Sequence, residues 1–184
     1  MRLSLFAFLD EPGGELALSR IRAGQRRGTV GHESKNPYYE DQKFPEPTCC
    51  TRCGLVYRNG RWQQGEGDPP AANVQRGQCP ACRREVDRYP GGLLHLRGTY
   101  LTAHREEILN LARNQASAAA AQRPLQRIMS IEEDNGSLEI ATTSSHLALR
   151  IGKAIVGACK GELTIKHASE DVLVRVYWER DEPD

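Results

Sequence analysis

The chain has 184 residues, of which 39 % are hydrophobic, 6 % aromatic and 27 % charged, and its formal net charge is +1. This length corresponds to one or two domains, and the small aromatic content argues against a single large core. No run approaches the roughly 18 apolar residues of a membrane helix. Six cysteines are too few for a disulfide-rich secreted scaffold.

The N-terminal residues 1–9 are mostly apolar, carry one arginine and could begin a signal peptide. The apolar run stops at Asp10, and no small-residue cleavage site follows at the required distance. We therefore expect a cytoplasmic protein in a reducing compartment, with no membrane partner.

Charge is distributed unevenly along the chain. Residues 20–98 contain 14 basic and 8 acidic residues, whereas residues 99–184 contain 10 basic and 13 acidic residues. Of the 25 basic residues 20 are arginine, whose planar guanidinium suits phosphate and stacks on bases. A basic half is typical of a protein that binds a polyanion, although a solvated surface has the same composition.

Residues 1–48 are predicted to form a flexible basic tail. The stretch 23–37 has almost no apolar periodicity, and such segments bury too little surface to offset the entropy of ordering. Two alternatives stay open at this point: the tail orders on a partner, or it does not order at all.

Residues 49–98 contain two C-x-x-C pairs, Cys50 with Cys53 and Cys79 with Cys82. In a reducing compartment this pattern indicates a metal site, and four thiolates are typical of structural Zn²⁺. Four sulfur ligands leave no position for water, which argues against a catalytic metal. Cys49 is an alternative to Cys50, but Cys50 gives the two-residue spacing and the following glycine that the turn requires.

A β-hairpin is predicted between the two cysteine pairs, because Asn59-Gly60 separates the β-prone segments 55–58 and 61–63. Residues 64–73 are rich in Gly, Pro and Gln and are predicted to be a loop. Residues 91–97 are predicted to close the unit as a further strand. This order of turn, hairpin, turn and strand is that of a zinc ribbon.

Arginine and aromatic residues are concentrated in the tail and the ribbon. Arginine beside an aromatic ring can hold phosphate and stack bases. The alternatives are that Trp62 packs in the ribbon core and that the arginines are only solvated. The predicted RNA contacts are Arg26, Arg27, Arg52, Arg58, Arg61, Trp62, Arg83, Arg84 and Arg88.

Residues 99–124 are predicted to be a connecting helix. Thr102 would cap it, Glu106 and Glu107 suit its first turns, and Pro124 would end it. Its apolar residues recur at helical spacing but are mostly small, so the stripe is modest.

Residues 125–184 are predicted to form an α+β module of order β-β-α-β-β. Asn135-Gly136 would turn one hairpin, Ser144 or Ser145 would cap a helix, and two alternating segments, 162–166 and 172–178, would follow it. The simplest packing is a four-stranded antiparallel sheet with one helix across a face. Cys159 is predicted to be a small buried residue of that helix.

No catalytic motif is found. The chain has no Walker A sequence, no G-x-S-x-G, no H-E-x-x-H and no clear carboxylate pair, and its five histidines are scattered. The prediction is therefore that the protein is not an enzyme, with a zinc-dependent or redox enzyme as the least favoured alternative.

The order of these motifs resembles a known family. The C-x-x-C-G and C-P-x-C pairs, the helix, the segment 128–148 with its Ser144-to-Ala148 step, and the Val-Arg-Val of residues 174–176 resemble the N-terminal region of nonsense-mediated decay protein three. That family is the export adaptor of the large ribosomal subunit. Small uncharacterised bacterial zinc-ribbon proteins are closer still. The family carries further C-x-x-C pairs, so the resemblance implies ribosome or RNA binding rather than export.

The sequence therefore predicts an α+β, zinc-ribbon, RNA-binding protein. Its expected partner is ribosomal RNA or the large ribosomal subunit, in assembly, storage or translation control, with a protein partner for the C-terminal module. The alternative is a zinc-ribbon protein–protein adaptor that binds no nucleic acid.

Overall fold

The computed structural model of the chain describes residues 36–38, 43–65, 74–167 and 173–181. All of them lie within the unit His32–Asp184, and together they form two β-sheets and four helices. The predicted α+β class is confirmed. Arg26 and Arg27 of the predicted tail lie outside the described residues, as does most of the predicted loop 64–73.

The first sheet has four short strands in the order β3-β2-β1-β4. The predicted hairpin is confirmed, and Asn59 and Gly60 turn it with φ angles of 54° and 74°, as the tight turn requires. The Glu46 carboxylate accepts hydrogen bonds from both of their backbone N–H groups. The strands are β1 (Thr48–Cys50), β2 (Val56–Arg58), β3 (Arg61–Gln63) and β4 (Gln75–Gly77).

Three aromatic rings form the core of this small sheet. Tyr57 and Trp62 are opposite each other on β2 and β3 and are buried. The ring of Phe44 lies 5.3 Å from that of Tyr57 and 5.0 Å from that of Trp62. Residues 43–48 of the predicted tail therefore pack on the ribbon, because the sheet has an apolar face that Phe44 covers.

A helix that was not predicted begins directly after Cys79 and contains Cys82, the second cysteine of its pair. Helix α1 (Pro80–Asp87) begins with Pro80 in its first turn, where the fixed φ of proline suits a helix start. Tyr38 donates a hydrogen bond from its hydroxyl to Asp87, 2.7 Å away. Below, residues 43–65 and 74–88 are called the ribbon.

The second sheet has five strands in the order β6-β7-β5-β9-β8. The predicted four-stranded antiparallel sheet is wrong in one respect: β5 lies at its centre, antiparallel to β7 and parallel to β9. Leu94 and Leu96 of β5 are fully buried, so this strand belongs to the module and does not close the ribbon. The strands are β5 (Gly92–Arg97), β6 (Ile128–Asp134), β7 (Ser137–Thr142), β8 (Glu162–His167) and β9 (Val174–Glu179).

The predicted connecting helix is two helices, α2 (Thr99–Ala103) and α3 (Arg105–Gln122), which meet at His104. Thr102 does not cap them; instead the Thr99 N–H donates to Asp181, 2.9 Å away. Helix α3 packs against α4 (Ser145–Cys159), and α4 covers β5 and β9. No helix in the described ranges is long and apolar enough to cross a membrane.

Helices α2, α3 and α4 and the five-stranded sheet enclose one hydrophobic core. Of the two predicted caps, Ser144 is the one that caps α4, with its hydroxyl accepting from the Leu147 N–H. Cys159 is buried as predicted. Residues 91–167 and 173–181 are called the module below. Its most buried large side chains include Leu94, Leu96, Leu101, Ile108, Ile140, Leu147, Ile151, Ile155, Val176 and Trp178.

Candidate metal centre

The two C-x-x-C pairs meet at one point of the ribbon. The Sγ atoms of Cys50, Cys53, Cys79 and Cys82 all lie within 4.8 Å of one another. Sγ of Cys50 is 3.8 Å from that of Cys82, and Sγ of Cys53 is 3.7 Å from that of Cys79. A tetrahedron with corners about 2.3 Å from a central ion has edges of about 3.8 Å. The cysteine cluster, as these four residues are called below, therefore has the dimensions of a tetrahedral metal site.

The first pair lies where β1 ends and the chain turns back. Gly54 has a φ of +75°, which few other residues adopt, and its N–H donates to the Cys50 carbonyl, 3.1 Å away. Successive residues of a strand face opposite sides, so Cys49 and Cys50 point apart. Only Cys50 joins the cluster, as the spacing of the pair predicted.

The second pair is held by the N-terminus of α1. Cys79 is the N-cap residue, and its Sγ accepts a hydrogen bond from the Cys82 N–H at 3.4 Å. The Cys79 N–H in turn donates to Sγ of Cys50, also at 3.4 Å. The positive end of a helix favours negative charge, so both contacts stabilise thiolates.

Burial acts to raise the pKa values of the Cys50 and Cys79 thiols, whereas hydrogen bonds from backbone N–H groups act to lower them. Burial raises the pKa of Cys79 and raises that of Cys82 to about 11. Burial also acts to raise the pKa of Cys50, but hydrogen bonds from backbone N–H groups, chiefly that of Cys79, lower it to about 6. Four adjacent thiolates therefore require a cation between them, and this donor set could hold a metal ion.

A residue of the module completes the surroundings of the cluster. The Arg127 Nη2 atom lies 3.5 Å from Sγ of Cys79, 3.5 Å from Sγ of Cys82 and 3.8 Å from Sγ of Cys53. Its Nη1 atom lies 3.5 Å from the Glu85 carboxylate of α1. Arg127 was not predicted as part of the site, because nothing in the sequence relates it to cysteines 45 residues and more away.

The geometry around the cluster is that of a closed site. Cys50, Cys79 and Cys82 are buried and Cys53 is partly exposed. All six cysteines are free thiols, so no disulfide competes for these sulfurs. Four sulfurs at this spacing, with an arginine beside them, have the form of a structural metal centre.

Two of the predicted RNA contacts share one face of the ribbon sheet. Tyr57 and Trp62 fill the inner face, so Arg58 and Arg61, directly opposite each other on β2 and β3, point outward and are exposed. Arg76 of β4, opposite Cys49 of β1, is exposed too and was not predicted. The outer face, as it is called below, consists of Cys49, Val56, Arg58, Arg61, Gln63 and Arg76.

Two of the predicted contacts are buried in the ribbon. Trp62 is buried against Tyr57 and Phe44 and offers no ring for stacking. Arg84 is only 5 % exposed and donates to the Tyr89 carbonyl and the Asn36 side chain. Both residues contribute to the packing of the ribbon, whose core has few other large side chains.

The remaining predicted contacts lie around α1 and the first cysteine pair. Arg52 is exposed and lies 3.9 Å from Glu85. Arg88 is exposed at the end of α1, where its φ of 50° closes the helix. Arg83 is half-buried. These three arginines therefore do not belong to the outer face.

Comparison of the chain with models of known protein families, with curated proteins and with solved structures finds no match. The resemblance to the export adaptor family stays a prediction, and the functional conclusion rests on the geometry of the ribbon.

Proposed function

We propose that the protein is a zinc-ribbon RNA-binding protein, in which the cysteine cluster holds a structural Zn²⁺ ion and the outer face holds RNA phosphates. The proposal has two parts that depend on different residues. The first concerns the metal, and the second concerns the exposed arginines.

Zinc is the ion that suits the donor set best. Four thiolates at tetrahedral spacing are typical of structural zinc sites, and Zn²⁺ imposes no other geometry. Three of the seven buried residues of the ribbon core are cysteines of the cluster. So small an apolar core supplies little folding free energy by itself, and metal binding would supply the rest.

The placement of three arginines on the outer face is the observation that carries the second part. Like charges directly opposite each other destabilise a sheet, and Arg58 and Arg61 are such a pair. Among the described residues, neither they nor Arg76 forms an ion pair. An arrangement that costs folding stability is explained if a polyanion neutralises it, and arginine suits phosphate oxygens.

Ribosomal RNA, free or in the large subunit, is the RNA that we propose. Support for this choice comes from the family resemblance of the motif order, and the general RNA-binding proposal does not depend on it. The module would then supply a second contact, to RNA or to a ribosomal protein.

RNA binding is tested by the salt dependence of affinity. We would titrate a labelled single-stranded RNA with the zinc-loaded chain at several KCl concentrations and follow fluorescence anisotropy. Each phosphate contact contributes about −0.7 to the slope of log K against log salt for single strands. The double variant Arg58→Gln/Arg76→Gln is therefore expected to flatten the slope by about 1.4.

The matched control is Arg113→Gln/Lys153→Gln, two exposed residues of α3 and α4 in the module. It lowers the net charge equally and is expected to change the slope much less. Equal effects of the two double variants would show that only net charge matters and would contradict the outer face as the binding surface.

Sedimentation of the protein in lysate on sucrose gradients at low and high salt tests whether it binds the ribosome. If it stays at the top in both, a protein adaptor becomes the better explanation.

A further inference from the structure

The ribbon and the module enclose a cleft of about 860 Å³, within the range of roughly 300–1,000 Å³ that small-molecule sites occupy. The ribbon contributes Tyr57, Arg61 and Trp62 to its lining, and the module contributes residues 122–126 and 143–146. The cleft is therefore distinct from the cysteine cluster, and it shares only Arg61 with the outer face.

The cleft is lined by cationic groups without acidic ones. Lys43 and Arg61 lie on the ribbon side, Arg123 lies on the module side, and all three are exposed. Buried Arg84 adds a charge that Asn36 and Tyr89 hold in place. No Asp or Glu from the described ranges is among the lining residues. A concave surface with one sign of charge concentrates ligands of the opposite sign.

Other residues that line the cleft can form hydrogen bonds with the edge of a nucleic-acid base. Gln122 and Gln126 line the cleft and carry side-chain amides, which pair with the edges of nucleic-acid bases. Tyr57 and Trp62 are each only 7 % exposed and contribute little surface to the cleft. At the module wall, α4 begins at Ser145, so its N-terminal N–H groups add partial positive charge there. The volume far exceeds that of inorganic phosphate alone.

We propose that the cleft binds a nucleotide, with its phosphate held by Arg123 and Lys43 and its base held by the glutamine amides. The nucleotide is either free or one residue of a bound RNA. The proposal does not require RNA to bind the outer face.

The walls of the cleft are tied together by the residue that contacts the cysteine cluster. The Arg127 N–H donates to the Thr143 hydroxyl at 2.9 Å, and the Thr143 hydroxyl donates to the Leu125 carbonyl at 2.6 Å. Leu125 and Thr143 both line the cleft, while the Arg127 guanidinium reaches the ribbon sulfurs. Nucleotide binding is therefore expected to need the metal-loaded protein.

The test compares adenosine 5′-monophosphate with adenosine by isothermal titration calorimetry, on the full chain loaded with Zn²⁺. The phosphate adds charge-assisted hydrogen bonds, so we expect the monophosphate to bind at least about tenfold more tightly than the nucleoside. Arg123→Gln, in the cleft, is expected to weaken the monophosphate about tenfold and the nucleoside little. Arg113→Gln, an exposed arginine of α3 that does not line the cleft, is the matched control and should change neither.

A ten-nucleotide RNA in the same titrations identifies the source of the nucleotide. If only the RNA binds and Arg123→Gln or Lys43→Gln weakens it, the cleft takes a nucleotide of RNA. Equal affinities for monophosphate and nucleoside, or no binding of any of the three, would overturn the proposal. So would binding that neither variant weakens. RNA binding by the outer face is tested separately by Arg58→Gln/Arg76→Gln, because neither residue lines the cleft. If that double variant leaves the salt dependence of RNA affinity unchanged, the outer-face proposal fails and the nucleotide proposal is unaffected.

Discussion

The Nη2 atom of Arg127 lies 3.5 Å from Sγ of Cys82, although Arg127 precedes β6 of the module and Cys82 belongs to α1 of the ribbon. A divalent ion with four thiolates carries a net charge of −2, and a guanidinium beside it offsets part of that charge. The same contact fixes the ribbon against the module. We therefore expect metal affinity and the packing of the two sheets to be linked through the Arg127 side chain.

Arg127→Met is expected to lower Zn²⁺ affinity by about 10- to 100-fold, the usual effect of removing a group that hydrogen-bonds to metal ligands. Methionine keeps an unbranched, shorter side chain and removes the charge and the donors. Competition with a chromogenic chelator measures the affinity. Arg127→Lys should retain part of it, and Arg113→Met, on α3 and far from the sulfurs in sequence, is the control. If Arg127→Met leaves the Zn²⁺ affinity unchanged, the guanidinium lies beside the cluster without contributing to metal binding.

The local chemistry of this protein could be predicted from sequence, because turns and metal ligands are specified by nearby residues. Asn59-Gly60 and Asn135-Gly136 turn hairpins with positive φ angles, and Ser144 caps α4. The spacing of the C-x-x-C pairs was sufficient to choose Cys50 over Cys49. Each of these features is decided within a few residues of the chain.

Features that depend on distant partners could not be predicted in this way. Strand β5 follows the ribbon in sequence, yet it pairs with β9, which begins about 80 residues later. Its apolar residues fit either sheet. The contact of Arg127 with the cluster likewise depends on how the ribbon and the module pack. Only α1 had a local indication that was overlooked, since Pro80 directly after Cys79 is typical of a helix start.

Removal of one ligand should abolish stoichiometric metal binding. Cys79→Ser is expected to reduce bound zinc from about one ion per chain to well below that, because a serine hydroxyl is a poor replacement for a thiolate. Cys49→Ser, the neighbouring cysteine on the outer face, is expected to keep the full content. Elemental analysis of the purified chains by mass spectrometry gives both values. Loss of metal in Cys49→Ser alone would assign the first ligand to Cys49 instead.

Thiol reactivity should distinguish the three environments of the six cysteines. Cys49 is half-exposed and lies outside the cluster, Cys159 is buried, and the other four form the cluster that could hold a metal ion. Thiolates under a metal resist modification. A chromogenic disulfide reagent is therefore expected to react quickly with about one thiol per chain, and with about four more after a chelator is added. Cys49→Ser should remove the fast phase, and a fast phase that persists would place a reactive thiol in the cluster.

Two glycines of α4 provide a matched pair for testing how the helix packs on the sheet. A Cβ added at Gly152 would lie 2.7 Å from Val176 Cγ1 and 3.3 Å from Leu163 Cδ1, whereas one added at Gly157 would meet nothing within 4 Å. Val176 is fully buried and stiff, so Gly152→Ala is expected to lower the free energy of unfolding by about 1–3 kcal/mol. Gly157→Ala should raise it by about 0.5–1 kcal/mol, because alanine favours a helix over glycine.

Denaturant unfolding of both variants, with saturating zinc and followed by circular dichroism, measures the difference. The two substitutions have the same effect on helix propensity, so the gap between the variants reports the contacts of α4 with Val176 of β9 and Leu163 of β8. Stabilisation by both substitutions would mean that α4 stands farther from β9 than its packing on Val176 implies. Destabilisation by both would mean that Gly157 is covered by a part of the chain beyond the described residues.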